Sequence, residues 1–347
     1  MRQGRSISEW AAEIERQASA KKDYVASTDI LAMSNDAALV IPDTGVFPLN
    51  SHAHGQVAER LDIPKKYYDR MLNGNKALLA ENVNTWLHAN PERRMIRTLD
   101  GTARAFLSDR YRRLDNIDLA EAVMPEIMGR NDLTVASCEI TERRMYLKVT
   151  CNSMELEVKK GDPVRSGFLI SNSEIGSGRL EVSPFLERLV CTNGMVATEF
   201  GQRRNHVGRA TESEGESYEL YTDQTLKADD KAFFMKVTDT VKACLEESKF
   251  MMIVKRLQES TGQMITGDPL KAVEVVANRY AFAEGERSSF LKHLISGGDM
   301  SAWGLANAVT RMSQDVADYD KATDYEKLGA TIINLPKAQW SEIAEAK

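Results

Sequence analysis

Residues 93–194 constrain the fold most, because they consist of short apolar runs separated by turn signals. "RRMIRTL" and "TARAFLS" flank Asp100-Gly101, a strong short-range signal for a β-hairpin. "DLTVASCEITERRMYLKVTC" predicts two more strands, and "VRSGFLISNSEIGSGRLEVSPFLERLVCTNGM" predicts two long strands around a glycine-rich turn and then a third element. Connections this short join antiparallel neighbours. The sequence therefore predicts an α+β fold with a mainly antiparallel sheet and flanking helices.

Helical patterns lie on both sides of this region. Upstream, "SISEWAAEIERQASAKKDYV" predicts an amphipathic helix with Ser6 or Ser8 as its cap, and "SHAHGQVAERLDIPKKYYDRMLNG" predicts two short helices that break before Pro64. Downstream, "KAFFMKVTDTVKACLEESKFMMIVKRLQES" predicts one long helix, and Asp268-Pro269 predicts the cap and first position of the next. The C-terminal part is therefore expected to be all-helical.

The predicted organisation has four segments. We expect an N-terminal helix at residues 1–24, an α+β domain at 25–210, an acidic linker at 211–228 and a helical domain at 229–347. The linker is predicted because the stretch "ATESEGESYELYTDQTLKADD" is rich in acids and poor in apolar residues.

Charge is unevenly distributed along the chain. The formal net charge is −6, from 45 basic and 51 acidic residues. Residues 211–347 hold 16 of the basic and 23 of the acidic residues, which leaves 29 basic and 28 acidic residues for 1–210. The N-terminal part can therefore present a basic surface although the chain as a whole is acidic.

Arginine is concentrated in residues 93–113, which hold seven arginines and two aspartates. Guanidinium groups match phosphate oxygens, and interleaved aromatic rings can stack on unpaired bases. The stretch "GQRRNHVGR" adds a second basic segment, and "KKGDPVR" a third. In the alternative interpretation, Asp109, Asp115 and Asp118 neutralise the arginines on a solvated sheet face. The residues predicted to bind nucleic acid are Arg104, Phe106, Arg110, Tyr111, Arg112, Arg113, Arg203 and Arg204.

Signals for catalysis and metal binding are weak. Glu157 and Lys159 form the E-x-K half of a metal-dependent nuclease pattern, which would need Glu139 or Glu142 as a second acid. The H-x-H pattern at residues 52–54 has no third ligand in a recognisable spacing. We therefore predict no catalytic residue, no cofactor and no metal.

The helix pair at residues 54–74 leaves two interpretations open. Its pattern loosely resembles a helix-turn-helix of the phage-repressor type, which reads a DNA groove, but simple helix packing produces the same spacing. The chain also lacks an apolar run long enough for a membrane span, and its first residues lack a signal-peptide core. Its four cysteines are scattered. These features predict a cytoplasmic protein with no membrane contact.

Three motifs resemble a known family. "FLSDRYRRLDN", "GFLISNSEIGSGRLEVSPFLERLVCTNGM" and "WGLANAVTRMSQDV…YDKATDYEKLGATII" are similar to the phage/plasmid-like family that carries domain of unknown function 932, over most of residues 25–335. The resemblance implies a protein of phages, plasmids and integrated elements, and it implies no established activity or site residues. A looser resemblance to single-strand annealing proteins implies a homo-oligomeric ring with a basic groove.

These features together predict a non-enzymatic protein that binds single-stranded nucleic acid in the recombination or replication of a mobile element. One alternative is an interaction module that acts on a host factor through the acidic helical part. The other alternative is the metal-dependent nuclease.

Overall fold

A computed structural model describes residues 1–197, 202–204 and 223–347, with only the backbone for 202–204 and 223–227. The linker expected at 211–228 lies mostly outside these residues. Its last part is not a linker, because helix α6 (Asp223–Cys244) already begins there.

The N-terminal part contains two small antiparallel sheets and four helices. Its elements are α1 (Ile7–Ala20), β1 (Lys22–Ser27), β2 (Ala32–Met33), β3 (Ala38–Ile41), β4 (Gly45–Pro48), α2 (Ser51–Arg60), α3 (Lys65–Gly74), α4 (Lys76–Ala89), β5 (Arg93–Leu99) and β6 (Thr102–Ser108). One sheet has the order β1-β5-β6 and the other has the order β2-β3-β4.

Local signals explain most of these boundaries. Asp100 and Gly101 have φ angles of 50° and 76°, as a tight hairpin turn between β5 and β6 requires. Ser6 caps α1 and exchanges hydrogen bonds with Glu9 in a capping box. The predicted N-terminal helix is corrected at its end, because Lys22 begins β1 and pairs with β5 instead of continuing α1.

The main sheet lies in the middle of the chain. Its strands are β7 (Leu133–Ile140), β8 (Met145–Lys159), β9 (Asp162–Asn172), β10 (Leu180–Arg188), β11 (Asn193–Val196) and β12 (Gln202–Arg204), and α5 (Asn116–Met128) precedes them. The order is β11-β10-β9-β8-β7, with β12 also paired to β10. Every one of these strand pairs is antiparallel, which confirms the predicted fold class.

The C-terminal part is helical, as predicted. After α6 its helices are α7 (Glu247–Thr261), α8 (Pro269–Arg279), α9 (Glu284–Gly297), α10 (Ala302–Met312), α11 (Tyr319–Ile333) and α12 (Lys337–Ala344). The single long helix expected before Asp268 is two helices, because the chain turns at Leu245 and Glu246 between α6 and α7.

Helices cover both faces of the main sheet, because alternate side chains of a strand point to opposite faces. Phe168 and Ile170 of β9 pack with Trp10 of α1 and with α5 and α6. Leu169 points the other way and lies in a cluster with Tyr319 of α11. The helical part therefore packs against the sheet, and these hydrophobic clusters contain side chains from both.

The buried imidazole of His54 makes stability depend on pH. His54 Nδ1 lies 2.8 Å from the hydroxyl oxygen of Tyr68, and burial together with nearby Lys65 lowers the pKa of His54 to about 4. The unfolded chain, with a histidine pKa near 6.5, binds the proton more readily between these values. Stability is therefore lost as pH falls through this window.

We expect the free energy of unfolding to decrease by about 2 kcal/mol between pH 7 and pH 5 through His54 alone. His54→Gln keeps a hydrogen-bonding group beside Tyr68 but cannot take up a proton in this range, so its dependence on pH should be smaller by that amount. Urea denaturation at the two pH values measures the difference. The same pH dependence in both proteins would exclude this role for His54.

Candidate nucleic-acid interface

Residues 173–179, which connect β9 to β10, join α2 and the β1-β5-β6 sheet to the main sheet, in addition to the packing of α1 on that sheet. We call this segment the junction turn. Side chains from three N-terminal segments donate hydrogen bonds to its backbone carbonyls: Tyr111 to Ser173 (3.0 Å), Arg97 to Glu174 (2.9 Å) and Gln56 to Ile175 (2.8 Å). The turn therefore holds α2, β5 and the loop after β6 against the sheet.

Glu174 is the charged centre of the junction turn, and it is 4% exposed. Its carboxylate pairs with Arg104 and with Lys21, and it accepts a hydrogen bond from the backbone N–H of Asn116 at 2.7 Å. Burial and the nearby Asp115 raise the pKa of Glu174, but the neighbouring cations outweigh both and the pKa is lowered. The carboxyl therefore stays ionised because its partners are in place.

Arg97 extends this centre into a network. It has no exposed surface, and it pairs with Asp115 at 2.8 Å and with Asp23 at 2.8 Å. Lys21 Nζ lies 2.7 Å from Asp115 and 3.3 Å from Glu174, so it connects these two acids. We call Lys21, Asp23, Arg97, Arg104, Asp115 and Glu174 the junction network.

Three residues predicted to contact nucleic acid are buried. Arg104 pairs with Glu174, Phe106 is 1% exposed in the core of the N-terminal part, and Tyr111 binds the junction turn through its hydroxyl. Side chains that are at most 8% exposed and already paired or packed inside the protein do not present a surface for stacking on a base or for pairing with a phosphate. The assignment of these three residues is therefore corrected: they support the junction.

Arg112 and Arg113 also form ion pairs, but they lie nearer the surface. Arg112 pairs with Asp229 and Asp230 of α6, so it links the loop after β6 to the helical part. Arg113 is exposed, and its Nε lies 3.5 Å from Asp23. Arg112 is therefore ion-paired, as in the alternative interpretation, but the aspartates that pair with it belong to α6 and are not the ones which that interpretation named.

Exposed arginines gather at the same end of the main sheet as the junction turn. Met145 of β8 pairs with Asn172 of β9, which places the turn at residues 141–144 beside the junction turn. Arg144 Nη2 donates to the carbonyl of Ser177 at 2.8 Å and ties the two turns together. Arg110, Arg143 and Arg179 are exposed in the three adjoining segments. We call Arg110, Arg143, Arg144 and Arg179 the basic rim.

The second predicted basic segment adjoins the basic rim. Arg203 and Arg204 belong to β12, where Arg204 pairs with Leu180, the residue after Arg179. Their side chains lie outside what the structure describes. The third basic segment lies at the opposite end of the sheet, where Lys159 pairs with Asp299. Two of the three basic segments therefore meet.

The turn arginines Arg143, Arg144 and Arg179 were not among the predicted site residues. The signal that could have found them is topological, because every second turn of an antiparallel meander lies at the same end of the sheet. The pattern of a single turn predicts the turn itself but does not show which other turn lies beside it.

The helix pair carries exposed basic groups on its second helix, and its first helix contacts the junction turn. Gln56 of α2 binds the turn directly, and α3 follows with Lys66, Tyr67 and Arg70 exposed on its surface. Tyr67 is 45% exposed, whereas Tyr68 is buried. The geometry fits both interpretations of this pair, because α3 packs on α2 and α4 and also presents a basic face.

The geometry does not assemble the nuclease pattern. Glu139 of β7 pairs with Tyr146 at the start of β8, whereas Glu157 lies eleven residues further along that strand. At about 3.3 Å per residue the separation is on the order of 30 Å, too far for a shared metal. Among the described residues, no group of three or more potential metal ligands is present. His52 instead lies 3.0 Å from the carbonyl of Ile175 in the junction turn.

Comparison with known proteins identifies a family. A family model described as domain of unknown function (DUF932) matches residues 105–331, more than half of the chain. The chain belongs to the DUF932 family. The DUF932 match begins within β6 and ends within α11, so it includes the junction turn and the basic rim. No curated protein and no solved structure matches the chain.

The helices place one limit on this DUF932 protein. In the described part of the chain, none combines the length and the apolar character that crossing a membrane requires.

Proposed function

We propose that this protein binds single-stranded nucleic acid along the basic rim, without catalysing a reaction, in the recombination or replication of a mobile element. The observation that carries the proposal is the convergence of arginines from three separate segments at one end of the main sheet, beside β12. Guanidinium groups on turns can follow a flexible backbone, and their planar forks suit phosphate oxygens.

The buried aromatic residues leave the stacking role to another side chain. Tyr67 on α3 is exposed, and Lys66 and Arg70 flank it on the same helix. Base stacking on an aromatic ring stabilises single-strand binding by about 1–3 kcal/mol per base. We assign stacking to Tyr67 and phosphate contacts to the basic rim.

The small number of arginines in the basic rim favours a homo-oligomer, in which the rim is repeated from subunit to subunit. A patch of four to six arginines spans only a few nucleotides, and a homo-oligomer would join such patches into one phosphate track. Repetition would also allow a chain with a net charge of −6 to hold a polyanion. We place this assembly in the cytoplasm of a bacterial host that carries the phage or plasmid.

Loss of two exposed arginines of the basic rim is expected to weaken binding. Arg143→Gln/Arg179→Gln should bind a labelled single-stranded oligonucleotide about tenfold less tightly at low salt, because the loss of each arginine removes a charge-assisted phosphate contact. Fluorescence anisotropy measures the affinities.

The matched control is Arg130→Gln/Arg279→Gln, which removes the same charge at positions away from the basic rim. It breaks the ion pair of Arg130 with Asp132 and that of Arg279 with Glu342. It should bind within about twofold of the unmodified protein. Equal losses in the two double variants would mean that net charge decides binding, and the assignment to the basic rim would be wrong.

Exposed methionines support a second function, an interaction module that binds a host protein. Met235 of α6 and Met251 and Met252 of α7 are largely exposed on the helical part. Methionine adapts to varied apolar partners, and exposed apolar groups mark interaction sites. A stoichiometric host partner that Arg143→Gln/Arg179→Gln still captures, but Met251→Asp/Met252→Asp does not, would favour this function.

A further inference from the structure

An ion-paired contact joins the start of the helical part to the arginine-rich loop after β6. Arg112 Nη1 lies 2.5 Å from Asp229 Oδ2, and its Nε lies 2.7 Å from Asp230 Oδ1. The carboxylates of two neighbouring residues therefore hold one guanidinium. We call Arg112, Asp229 and Asp230 the α6 contact.

The α6 contact lies at the same end of the main sheet as the basic rim. Arg112 comes two residues after Arg110 of the basic rim, and two residues of extended chain span at most about 7 Å. In the same loop, the carbonyl of Leu114 accepts a hydrogen bond at 2.7 Å from Asn172, the last residue of β9 before the junction turn. A nucleic-acid strand that contacts Arg110 therefore passes within reach of Arg112.

The α6 contact contributes little to the stability of the fold. The side chain of Asp229 is 56% exposed, and ion pairs with an exposed partner are screened by water and salt. Acids are also in excess here: burial raises the pKa of Asp118, and the negative charges of Asp115 and Asp230 raise this pKa further. Asp230 is therefore repelled by one neighbour while Arg112 attracts it.

The two carboxylates present the same chemistry to Arg112 as a nucleic-acid backbone does. Each offers negatively charged oxygens to the planar fork of N–H donors, which is how arginine binds carboxylate and phosphate alike. The three residues together carry one more negative than positive charge. While the carboxylates are in place, this group therefore repels a phosphate instead of attracting it.

We propose that the α6 contact is autoinhibitory and withholds Arg112 from nucleic acid. This inference rests on the proposed function of the basic rim. While the contact is formed, the basic rim holds the strand together with Arg203 and Arg204, and Arg112 takes no part. When the two carboxylates are removed, Arg112 adds one phosphate contact beside Arg110. The helical part thereby limits the affinity of the sheet for nucleic acid.

Asp229→Asn/Asp230→Asn tests the proposal, because it removes both negative charges and keeps the size of the side chains. This variant should bind a labelled single-stranded oligonucleotide about threefold more tightly than the unmodified protein at low salt. The slope of log affinity against log salt should increase in magnitude by about 0.7, since one more phosphate is neutralised. Fluorescence anisotropy over a salt series measures both quantities. An unchanged affinity and an unchanged slope would overturn the proposal.

Two controls separate the release of Arg112 from a general effect of charge. Glu259→Gln/Glu345→Gln removes two exposed acids, one in α7 and one after α12, and should leave the affinity and the slope unchanged. In a protein that also carries Arg112→Gln, Asp229→Asn/Asp230→Asn should give no gain, because there is no arginine to release. An equal gain in the first control, or a gain that survives in the second, contradicts the assigned contact.

The outcomes distinguish this inference from the proposed function. Binding by the unmodified protein with no gain in Asp229→Asn/Asp230→Asn would overturn the autoinhibition alone and leave nucleic-acid binding in place. Absence of binding by both proteins would contradict nucleic-acid binding, and the autoinhibition with it. Binding by the variant alone would support the autoinhibition in its strongest form.

Discussion

Glu174→Ala is expected to lower the free energy of unfolding by about 3–5 kcal/mol, because it leaves buried cations without their common partner. Arg104 loses its carboxylate, Lys21 loses one of two, and the backbone N–H of Asn116 loses its acceptor. Since these groups come from the N-terminal part and from the start of α5, the loss should weaken the attachment of the N-terminal part to the main sheet. Urea denaturation measures the midpoint, and amide exchange of β5 and β6 measures the separation.

Glu142→Ala is the matched control for this prediction. Glu142 is an exposed acid in the turn at residues 141–144, beside the junction turn, so its loss should change stability by less than about 0.5 kcal/mol. Should Glu174→Ala unfold at the same urea concentration as Glu142→Ala, the junction network would not hold the two parts together.

Lys148→Met is expected to destabilise the protein by a similar amount, about 3–5 kcal/mol, through a different buried pair. Lys148 Nζ lies 2.6 Å from the carboxylate of Glu326, and neither side chain is exposed. Burial lowers the pKa of Lys148, while Glu326 opposes this shift. Removal of the lysine leaves the carboxyl group of Glu326 without its cation in the core between β8 and α11.

The double variant Lys148→Met/Glu326→Leu should recover most of the stability, because an apolar pair of similar volume removes both desolvation penalties. Thermal and urea denaturation of the two single variants and the double variant measure the coupling. As a comparison, Lys242→Met breaks an exposed pair with Glu126 and should cost at most about 1 kcal/mol. A double variant that is less stable than Lys148→Met would contradict this account of the pair.

Local patterns predicted the elements of the fold well where a turn or cap carries a clear signal. The hairpin at Asp100-Gly101, the break before Pro64 and the start of α8 at Pro269 follow from backbone preferences of single residues. The break between α6 and α7 was missed, because Leu245 and Glu246 are ordinary helix residues and only tertiary packing turns the chain there. The strand β1 was missed because its pairing partner, β5, lies about 70 residues away.

The site was predicted less well, because whether a charged side chain is exposed or buried in an ion pair depends on the partner that the fold brings to it. Arg104 and Glu174 are 70 residues apart, and no local pattern shows that the fold brings them into contact. Arg104 and Phe106 are two residues apart on β6 and so share a face, but strand alternation does not show whether the fold covers that face. The exposed arginines of the basic rim lie in turns, and their convergence follows from strand register, which local sequence patterns do not specify.

The most direct test of the central proposal is the affinity for a labelled single-stranded oligonucleotide over a series of salt concentrations. Each phosphate neutralised on a single strand contributes roughly −0.7 to the slope of log affinity against log salt. Six contacts, by the basic rim together with Arg203 and Arg204, predict a slope of roughly −4, and its magnitude should fall by about 1.4 in Arg143→Gln/Arg179→Gln. A flat dependence on salt, or no binding at low salt, would contradict nucleic-acid binding by this protein.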